Sequence, residues 1–376
     1  MLKIFEIVKN LETFRQKELA AALALQFIPG IGPARMKKLA LEKGNILNLF
    51  EENKFKQVLA ILKNSVIPEN QIADLIEREL EFVHKFNIDF YLWPESSYPT
   101  RLKKIPDAPY ILFSKGKSPI EKERHLAIVG TRKASEKGKQ FVRELVMALA
   151  PFDPLVISGL ALGIDTAAHQ AALEAGLATA AILGHGMDRI YPHTNRNLAS
   201  SILSCGYLAT EFPSGTKPDK QNFPKRNRIV AGLSDAVVVV ETGMKGGAMI
   251  TARLACTYNK DVFAVPGRPW DIQAEGCNNL IKTNIAQLVT NPEDVALALG
   301  WHLLFKEEKI SRAEITLNFT PEESEIIKFL NEKGTCHLEE LSAFSTQAPA
   351  TLAATLLSLE LTGVVRSLPG RMYELI

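Results

Sequence analysis

The chain has 376 residues, of which 46% are hydrophobic, and it carries a formal net charge of +2 and four cysteines. This length predicts two or three domains. The charge neither requires nor excludes nucleic acid, so any bound phosphate needs a local basic patch. Scattered cysteines without a CxxC pair argue against zinc and a disulfide framework. No apolar run is long enough for a bilayer and the start lacks a signal-peptide core, so we expect a cytoplasmic protein with no membrane partner.

Residues 1–85 have the apolar spacing that is typical of helices, which predicts a small all-α N-terminal domain. Within it, the run Pro29-Gly30-Ile31-Gly32-Pro33 separates one apolar helix from a second, residues 34–41, that carries three cations. The pattern resembles a helix-hairpin-helix, whose glycines let backbone N–H groups approach a phosphate. A tight turn between two packed helices explains the same residues, so contact with DNA stays open at this position.

Strands and helices alternate over residues 86–300, which indicates an α/β domain with a doubly wound parallel sheet. We predict strands at 126–129, 155–157, 178–183, 236–240 and 262–265, and helices at 135–150, 165–175, 195–204 and 249–258. The run Ala236-Val237-Val238-Val239-Val240 is apolar throughout, as expected for a parallel strand that is buried on both faces.

The C-terminal part of the chain predicts a linker followed by a winged helix. Residues 301–315 include a charged segment and form the linker. Residues 316–376 contain three short helical patterns, at 321–332, 337–343 and 349–362, and then a hairpin around Leu368-Pro369-Gly370. The third helix of a winged helix usually reads duplex DNA. Here that helix carries no cation, which favours protein binding or domain packing.

Glycine and polar residues follow four of the predicted central strands, at 130–133, 158–165, 183–188 and 241–248. Any one such turn is usually only a tight turn. The carboxyl ends of parallel strands meet at one edge, however, so we expect these four turns to converge. The run Phe223-Pro224-Lys225-Arg226-Asn227-Arg228 puts three cations in four residues, in a loop or short helix beside the sheet. Together these features predict an anion site that takes several phosphates.

The motifs of common nucleotide enzymes are missing from the sequence. The glycine spacing from Gly159 to Gly163 is not GxGxxG, and no acidic residue follows at the distance that reads a ribose, which disfavours NAD. We find no Walker lysine, nucleophile elbow or metal triad. The sequence therefore predicts no catalytic residue, no metal and no cofactor.

Three further polar residues have two interpretations each. Asp165 and His169 lie four residues apart on one helix face and could line the cleft. The interpretation that we favour is that Asp165 caps its helix and His169 is a polar group of the core. Glu241, at the end of a buried strand, could pair with Arg228 or orient a ligand hydroxyl.

The order of these motifs resembles the DNA-processing protein A family (DprA, also called Smf). The resemblance rests on Gly130-Thr131-Arg132, on Ser158-Gly159-Leu160-Ala161-Leu162-Gly163-Ile164-Asp165, and on Phe223-Pro224-Lys225-Arg226-Asn227-Arg228. Further matches are Tyr191-Pro192, Glu211-Phe212-Pro213 and Val262-Phe263-Ala264-Val265-Pro266-Gly267. Together they cover roughly residues 90–290, in order.

The resemblance implies an extended Rossmann-like domain between a sterile-alpha-like N-terminal domain and a winged helix. It implies a protein that binds single-stranded DNA, protects incoming strands in natural transformation and helps to load the RecA recombinase. It also implies a homodimer through the Rossmann domain, and no chemical reaction. The residues expected to bind phosphate or DNA are Gly130, Thr131, Arg132, Ser158, Gly159, Gly163, Phe223, Lys225, Arg226, Asn227, Arg228, Lys245, Gly246 and Gly247.

An enzyme is the alternative. Phosphoribohydrolases of the lysine decarboxylase-like type share a related Rossmann core and a glycine-rich phosphate loop. Their Pro-Gly-Gly-x-Gly-Thr motif is matched only in part by Met244-Lys245-Gly246-Gly247-Ala248-Met249, so we favour the binding protein.

Overall fold

The computed structural model describes residues 3–50, 67–117, 121–301, 319–345, 347–362, 364–368 and 370–375. The chain divides into two compact units, Met1–Leu303 and Leu304–Ile376. Apart from residue 301, the predicted linker of residues 301–315 lies outside the described residues.

Helices form the N-terminal part of the first unit. They are α1 (Lys3–Asn10), α2 (Phe14–Gln26), α3 (Pro33–Lys43), a 3-10 turn (Ile46–Phe50) and α4 (Glu69–Lys85). Helix α2 begins at a capping box, in which the Thr13 side chain accepts from the Gln16 N–H. Gly30 has a left-handed φ of 84° in the turn before α3.

The second of the predicted hairpin helices, α3, packs against the domain that follows it. Lys37 is buried, and its Nζ donates to the carbonyl oxygen of Pro106 at 2.9 Å. Burial lowers the pKa of this ammonium group to about 8. This cation of the hairpin therefore serves packing, while phosphate binding by the glycine turn stays a prediction.

The central strands form a nine-stranded sheet in the order β1-β2-β6-β5-β4-β3-β7-β8-β9. The strands are β1 (Asp89–Leu92), β2 (Ile111–Gly116), β3 (His125–Gly130), β4 (Leu155–Ser158), β5 (Thr179–Ile182), β6 (Tyr207–Thr210), β7 (Ala236–Val240), β8 (Asp261–Ala264) and β9 (Gln287–Leu288). Pairing is parallel from β6 to β9, which confirms the predicted parallel sheet. Strands β1, β2, β6 and β9 were not predicted from the sequence, and β1 and β2 extend the sheet in the antiparallel direction.

Helices cover both faces of this sheet. They are α5 (Thr100–Lys103), α6 (Glu136–Leu149), α7 (Ile164–Glu174), α8 (Arg196–Cys205), α9 (Asn222–Leu233), α10 (Gly247–Thr257), α11 (Glu275–Lys282) and α12 (Pro292–Ala298). Alternate residues of β3 show the two layers: Ala127 packs in a core with residues of α9 and α10, whereas Ile128 packs in a core with residues of α6 and α7. This is the doubly wound arrangement expected from the sequence.

The N-terminal helices share an apolar core with the edge of the sheet. Leu23 of α2 and Ile72 of α4 lie in one buried cluster with Leu92 of β1 and Phe113 of β2. The N-terminal helices therefore cover the antiparallel strands β1 and β2 with apolar side chains. The domain boundary at residue 85 stays a prediction, and the shared core couples the parts on either side of it.

The second unit has the shape of a winged helix. It contains α13 (Pro321–Lys333), β10 (Cys336–His337), α14 (Leu338–Phe344), α15 (Pro349–Leu361), β11 (Val365–Leu368) and β12 (Met372–Leu375). The strands pair in the order β10-β12-β11. Its small core is apolar and includes Ile326, Leu341 and Leu356. Among all described helices, none has the length and apolar content needed to cross a membrane.

Candidate nucleic-acid interface

The strand order reverses at β3, and a cleft lies at this point. From β3 the chain moves outward through β4, β5 and β6, and then returns to β7 on the other side of β3. Open α/β sheets bind their ligands beyond the carboxyl ends of the strands at such a reversal. A cleft of about 630 Å³ lies here, between the turn after β3 and the turn after β7.

Most of the predicted site residues meet at this cleft. Those that line it are Gly130, Thr131, Arg132, Phe223, Arg226, Asn227, Lys245, Gly246 and Gly247. Gly159 lies in a smaller adjoining pocket, which Arg132, Phe223 and Arg226 also line. Ser158, Gly163, Lys225 and Arg228 are not among the described residues that line either cavity.

The turn after β3 is held rigidly by its neighbours. The Thr131 N–H donates to the carbonyl oxygen of Glu241 at 2.7 Å, and the Thr131 carbonyl accepts from the Ile164 N–H at 3.2 Å. Gly130 is required because a Cβ there would overlap the carbonyl oxygen of Val240. The turn therefore offers the exposed Arg132 from a fixed backbone.

Arg226 forms the cationic floor of the cleft. Its side chain is buried, with 5% of the residue exposed, and Nη1 donates to the carbonyl oxygen of Ile182 at 2.6 Å. Its Nε is buried and has no hydrogen-bond partner. Burial lowers the pKa of this guanidinium, yet arginine stays charged in proteins. A Cβ on Gly159 would overlap Nη1, so the glycine makes room for the guanidinium.

Asp165 is the counter-charge of Arg226. Its Oδ2 accepts from the N–H groups of Gly159 at 3.1 Å and Ala161 at 3.3 Å, which fixes the loop before α7. Burial raises the pKa of this carboxyl, and the charge of Arg226 opposes the rise. Asp165 lines the cleft, as the first interpretation from the sequence had it. The favoured interpretation, a cap of its helix, was wrong for Asp165, because the N-cap of α7 is Gly163 and no side chain caps this helix.

Two aromatic rings and a guanidinium form one rim of the cleft, which we call the first rim: Arg132, Tyr191 and Phe223. The Arg132 guanidinium lies 5.3 Å from the centre of the Phe223 ring, within cation–π distance. The Tyr191 ring lies 6.0 Å from that of Phe223, at an interplanar angle of 35°. Flat apolar groups and a cation therefore lie beside the cleft.

The N-terminus of α10 closes the cleft on the β7 side. Gly246 caps this helix, and the Asn227 side chain donates to the carbonyl oxygen of Gly247 at 3.3 Å. The first N–H groups of an 11-residue helix carry partial positive charge and favour an anion. Lys245 is exposed at the same wall and adds a full charge.

Comparison with known proteins identifies the family of the chain. Residues 89–300 match the family model of DNA recombination-mediator protein A, and residues 312–371 match that of the DprA winged helix domain. The chain belongs to the DprA family. It is 32% identical to Protein Smf of Synechocystis over 398 residues, which cover 95% of this chain and 98% of that protein. It is 37% identical to the DNA processing protein DprA of Streptococcus pneumoniae over 69% of this chain and 95% of that protein.

Two solved structures of DprA proteins share the fold. That of Streptococcus pneumoniae DprA has a TM-score of 0.63 and 31% identity, and covers 77% of this chain and 98% of that one. That of DNA processing protein A from Helicobacter pylori, for which a single-stranded DNA binding mode is described, has a TM-score of 0.52 and 30% identity. The second match covers 57% of this chain and 97% of that one.

Arg228 of this DprA-family chain does not line the cleft, contrary to expectation. Arg226 and Arg228 lie on helix α9, where two residues are separated by about 200° around the axis. Arg228 is buried, and it donates to the Glu211 carboxylate and to the carbonyl oxygen of Asp107. Lys225 is exposed outside the cleft lining. Of the three cations in the run, the helix period sends only Arg226 to the cleft.

Two other predicted site residues, Ser158 and Gly163, do not line the cleft but hold the backbone of the turn after β4 in place. The Ser158 hydroxyl is buried and donates to the carbonyl oxygen of Ile128 at 2.6 Å. Gly163 has a φ of 81°, and a Cβ there would overlap the carbonyl oxygen of Thr131. Both residues let α7 and its loop approach the turn after β3.

Glu241 neither pairs with Arg228 nor is free to orient a ligand. Its carboxylate accepts from the backbone N–H of Ser135 at 2.8 Å and from the Ser135 hydroxyl, next to the start of α6. The prediction for Glu241 was wrong because its carboxylate serves as the acceptor for backbone N–H groups at the N-terminus of a neighbouring helix.

For His169, the favoured interpretation, a polar group of the core, is confirmed. The residue is fully buried, and its Nδ1 lies 2.7 Å from Thr179 Oγ1. Burial lowers the pKa of its imidazole to about 3.

Sequence reasoning missed part of the DprA cleft. Tyr191 was noted as a family match without a role, Met244 was named only in a partial motif, and Ile272 and Gln273 were not considered. The available signal for the last two is their position in the loop after β8, because this parallel strand ends at the same edge as β3 and β7.

Proposed function

We propose that this DprA-family protein binds single-stranded DNA across the cleft between the turns after β3 and β7. The observation that carries the proposal is Arg226, a buried guanidinium at the cleft floor whose Nε has no partner. A buried donor of this kind is stabilised when an anion accepts from it. A backbone phosphate supplies that acceptor.

The first rim favours a single strand over a duplex. Phe223 and Tyr191 offer ring faces next to the cationic cleft. Bases of a single strand are free to stack on aromatic side chains, and this stacking tolerates any sequence. In a duplex the base faces are already stacked. The described single-stranded DNA binding mode of the Helicobacter pylori relative supports the same assignment.

We propose further that the protein protects incoming strands and helps to load the RecA recombinase in natural transformation and recombination, as a cytoplasmic homodimer through the Rossmann domain. These parts rest on membership of the DprA family. Light scattering of the purified chain tests the dimer, and a RecA filament assay on coated single strands tests the loading. A monomeric chain or an absence of stimulation would remove the corresponding part.

The proposed role is binding without catalysis. Two carboxylates line the cleft: Asp165 accepts from two loop N–H groups, whereas Glu275 is exposed at the start of α11. Because a nucleotide hydrolase needs a free carboxylate, the proposal of binding without catalysis rests on membership of the DprA family and on the incomplete phosphoribohydrolase motif. Incubation with nucleoside monophosphates tests the hydrolase alternative, since release of free base would overturn the binding-only role.

Affinity for single-stranded DNA is expected to fall steeply with salt. Three cations, Arg132, Arg226 and Lys245, and the N-terminus of α10 line the cleft. Neutralising about four phosphates gives a slope of log K against log salt near −3, at about −0.7 for each phosphate. Fluorescence anisotropy with a labelled oligothymidine at several salt concentrations measures the slope, with duplex of equal length as comparison. A slope near zero, or equal affinity for duplex, would contradict the proposal.

Arg132→Ala is expected to weaken single-strand binding without unfolding the protein. Arg132 is exposed on a rigid turn, so its loss removes a charge-assisted contact and leaves no buried partner. The expected loss is about 1.5 to 3 kcal/mol, roughly 10- to 150-fold in affinity. The matched control is Lys133→Ala, which removes an adjacent exposed cation that does not line the cleft. If both variants lose the same affinity, the strand is attracted by the general positive charge of the turn and not by a specific contact with Arg132.

A further inference from the structure

Trp270 is the largest exposed apolar side chain near the cleft. The chain has three tryptophans. Trp301 is buried and Trp93 is half-buried, whereas 79% of Trp270 is exposed. Tryptophan is highly buried on average, and an exposed indole beside a binding site suggests contact with a ligand.

Trp270 belongs to a second apolar rim of the cleft, formed by Met244, Trp270 and Ile272. Met244 and Ile272 are exposed and line the cleft. The two loops touch, because a Cβ on Gly243 would lie 3.3 Å from the carbonyl oxygen of Ile272. Two residues of chain span at most about 7 Å, so Trp270 lies close to the cleft wall.

The loop that carries Trp270 has a defined conformation. The Asp271 N–H donates to the carbonyl oxygen of Arg268 at 3.0 Å, and the Asp271 side chain accepts from the Gln273 N–H at 3.0 Å. These bonds form consecutive turns around the tryptophan. A ring on an ordered loop loses little entropy when a flat group stacks on it.

The apolar surface of this second rim, and not its charge, points to the occupant. Exposed charges of both signs lie beside it, Lys245 and Arg268 together with Asp271 and Glu275. A nucleic-acid strand fits an exposed aromatic ring next to a cationic cleft, because its bases stack on such rings. The rim is also continuous with the cleft through Ile272 and Gln273, so a strand that leaves the cleft on this side passes over it.

The two rims lie at different strand ends. Phe223 lies against the turn after β5, since a Cβ on Gly184 would contact its ring. Trp270 lies in the loop after β8. Four inter-strand spacings separate β5 from β8, and at about 4.8 Å each they give about 19 Å. One bound strand of several nucleotides therefore spans both rims, with its phosphates between them.

We propose that Trp270 stacks on a base of the bound single strand, on the side of the cleft away from Phe223 and Tyr191. The inference rests on the proposed function, because it needs single-stranded DNA in the cleft. It adds a second stacking site to the binding mode and assigns a base, rather than a phosphate, to the loop after β8.

The test compares Trp270→Ala with the matched control Phe14→Ala. Phe14 is also an exposed aromatic, with 61% of the residue accessible, but it lies at the start of α2 and not in the cleft lining. Each variant is titrated by anisotropy with a 12-nucleotide oligothymidine and with an abasic deoxyribose-phosphate strand of equal length. Circular dichroism checks that each variant is folded.

Trp270→Ala is expected to weaken binding of oligothymidine by roughly 5- to 100-fold and to change abasic affinity by less than about twofold, since stacking acts on bases alone. Trp270→Phe should keep most of the affinity, and Phe14→Ala should change neither. Wild-type tryptophan emission should be quenched by oligothymidine, and this quenching should be absent in Trp270→Ala.

Several outcomes would overturn the inference. If Trp270→Ala binds oligothymidine like the wild type, the stacking site is wrong while the proposed function stands. If Trp270→Ala loses the same affinity for oligothymidine and for the abasic strand, the substitution disturbs the loop and Trp270 does not stack on a base. A change in oligomeric mass by light scattering, with DNA affinity intact, would make the second rim a contact between copies of the chain. If the wild type binds neither strand, the proposed function fails as well.

Discussion

Replacing Arg226 and Asp165 together, as Arg226→Gln with Asp165→Asn, is expected to remove most of the affinity for single-stranded DNA. The double variant takes away the buried guanidinium and its counter-charge at once, so no lone charge is left in the cleft floor. Losing one partner of a buried, charge-assisted contact costs about 2 to 5 kcal/mol, a factor of roughly 30 or more in affinity. Anisotropy with labelled oligothymidine measures the loss.

Asp165→Asn alone is the control for this experiment. It keeps Arg226 and removes a negative charge close to the expected phosphate, so affinity should be unchanged or higher. Near-ultraviolet circular dichroism compares the folded state of both variants with the wild type. If the folded double variant binds DNA as tightly as Asp165→Asn, Arg226 does not contact the strand and the site lies elsewhere.

Arg228→Met is expected to destabilise the protein and to leave the cleft itself intact. Arg228 is the ion-pair partner of Glu211, and both residues are buried. Burial already raises the pKa of the Glu211 carboxyl against the charge of Arg228. Removing one member of a buried pair lowers the free energy of unfolding by about 3 to 5 kcal/mol. Urea-induced unfolding followed by tryptophan emission measures the change.

Two further variants make the Arg228 result specific. Lys225→Met changes an exposed cation on the same helix and should alter the free energy of unfolding by less than about 0.5 kcal/mol. Arg228→Met combined with Glu211→Leu should recover most of the loss, because no buried charge remains unpaired. If the Arg228→Met protein is as stable as the wild type but binds DNA more weakly, Arg228 contacts DNA, as was expected from the sequence.

The Arg228 network also joins the N-terminal helices to the cleft-bearing helix α9. The Gln26 side chain donates to the Glu211 carbonyl at 2.9 Å, and Lys37 donates to Pro106, next to the Asp107 carbonyl that Arg228 binds. One side of α9 thus anchors the helical part of the first unit, while Arg226 on another side lines the cleft. Loss of Arg228 should therefore loosen the N-terminal helices first.

Local sequence patterns by themselves determined the layers of this protein and the edge of the sheet at which its candidate site lies. Apolar runs such as Ala236–Val240 identified buried parallel strands, because only strands covered on both faces are apolar throughout. Parallel strands end at one edge, so the glycine turns at Gly130 and Gly246 had to meet. The winged helix followed from three short helices and a hairpin, all of which are local.

The tertiary structure alone decided which of the predicted residues reach the cleft. Lys225, Arg226 and Arg228 look equivalent in the sequence, but a helix points side chains two residues apart in nearly opposite directions. The register of α9 against the sheet then sends Arg226 to the cleft and Arg228 to Glu211. Likewise, Glu241 finds Ser135 more than 100 residues away in the chain. Such pairings depend on packing between distant segments, for which a single sequence carries no local signal.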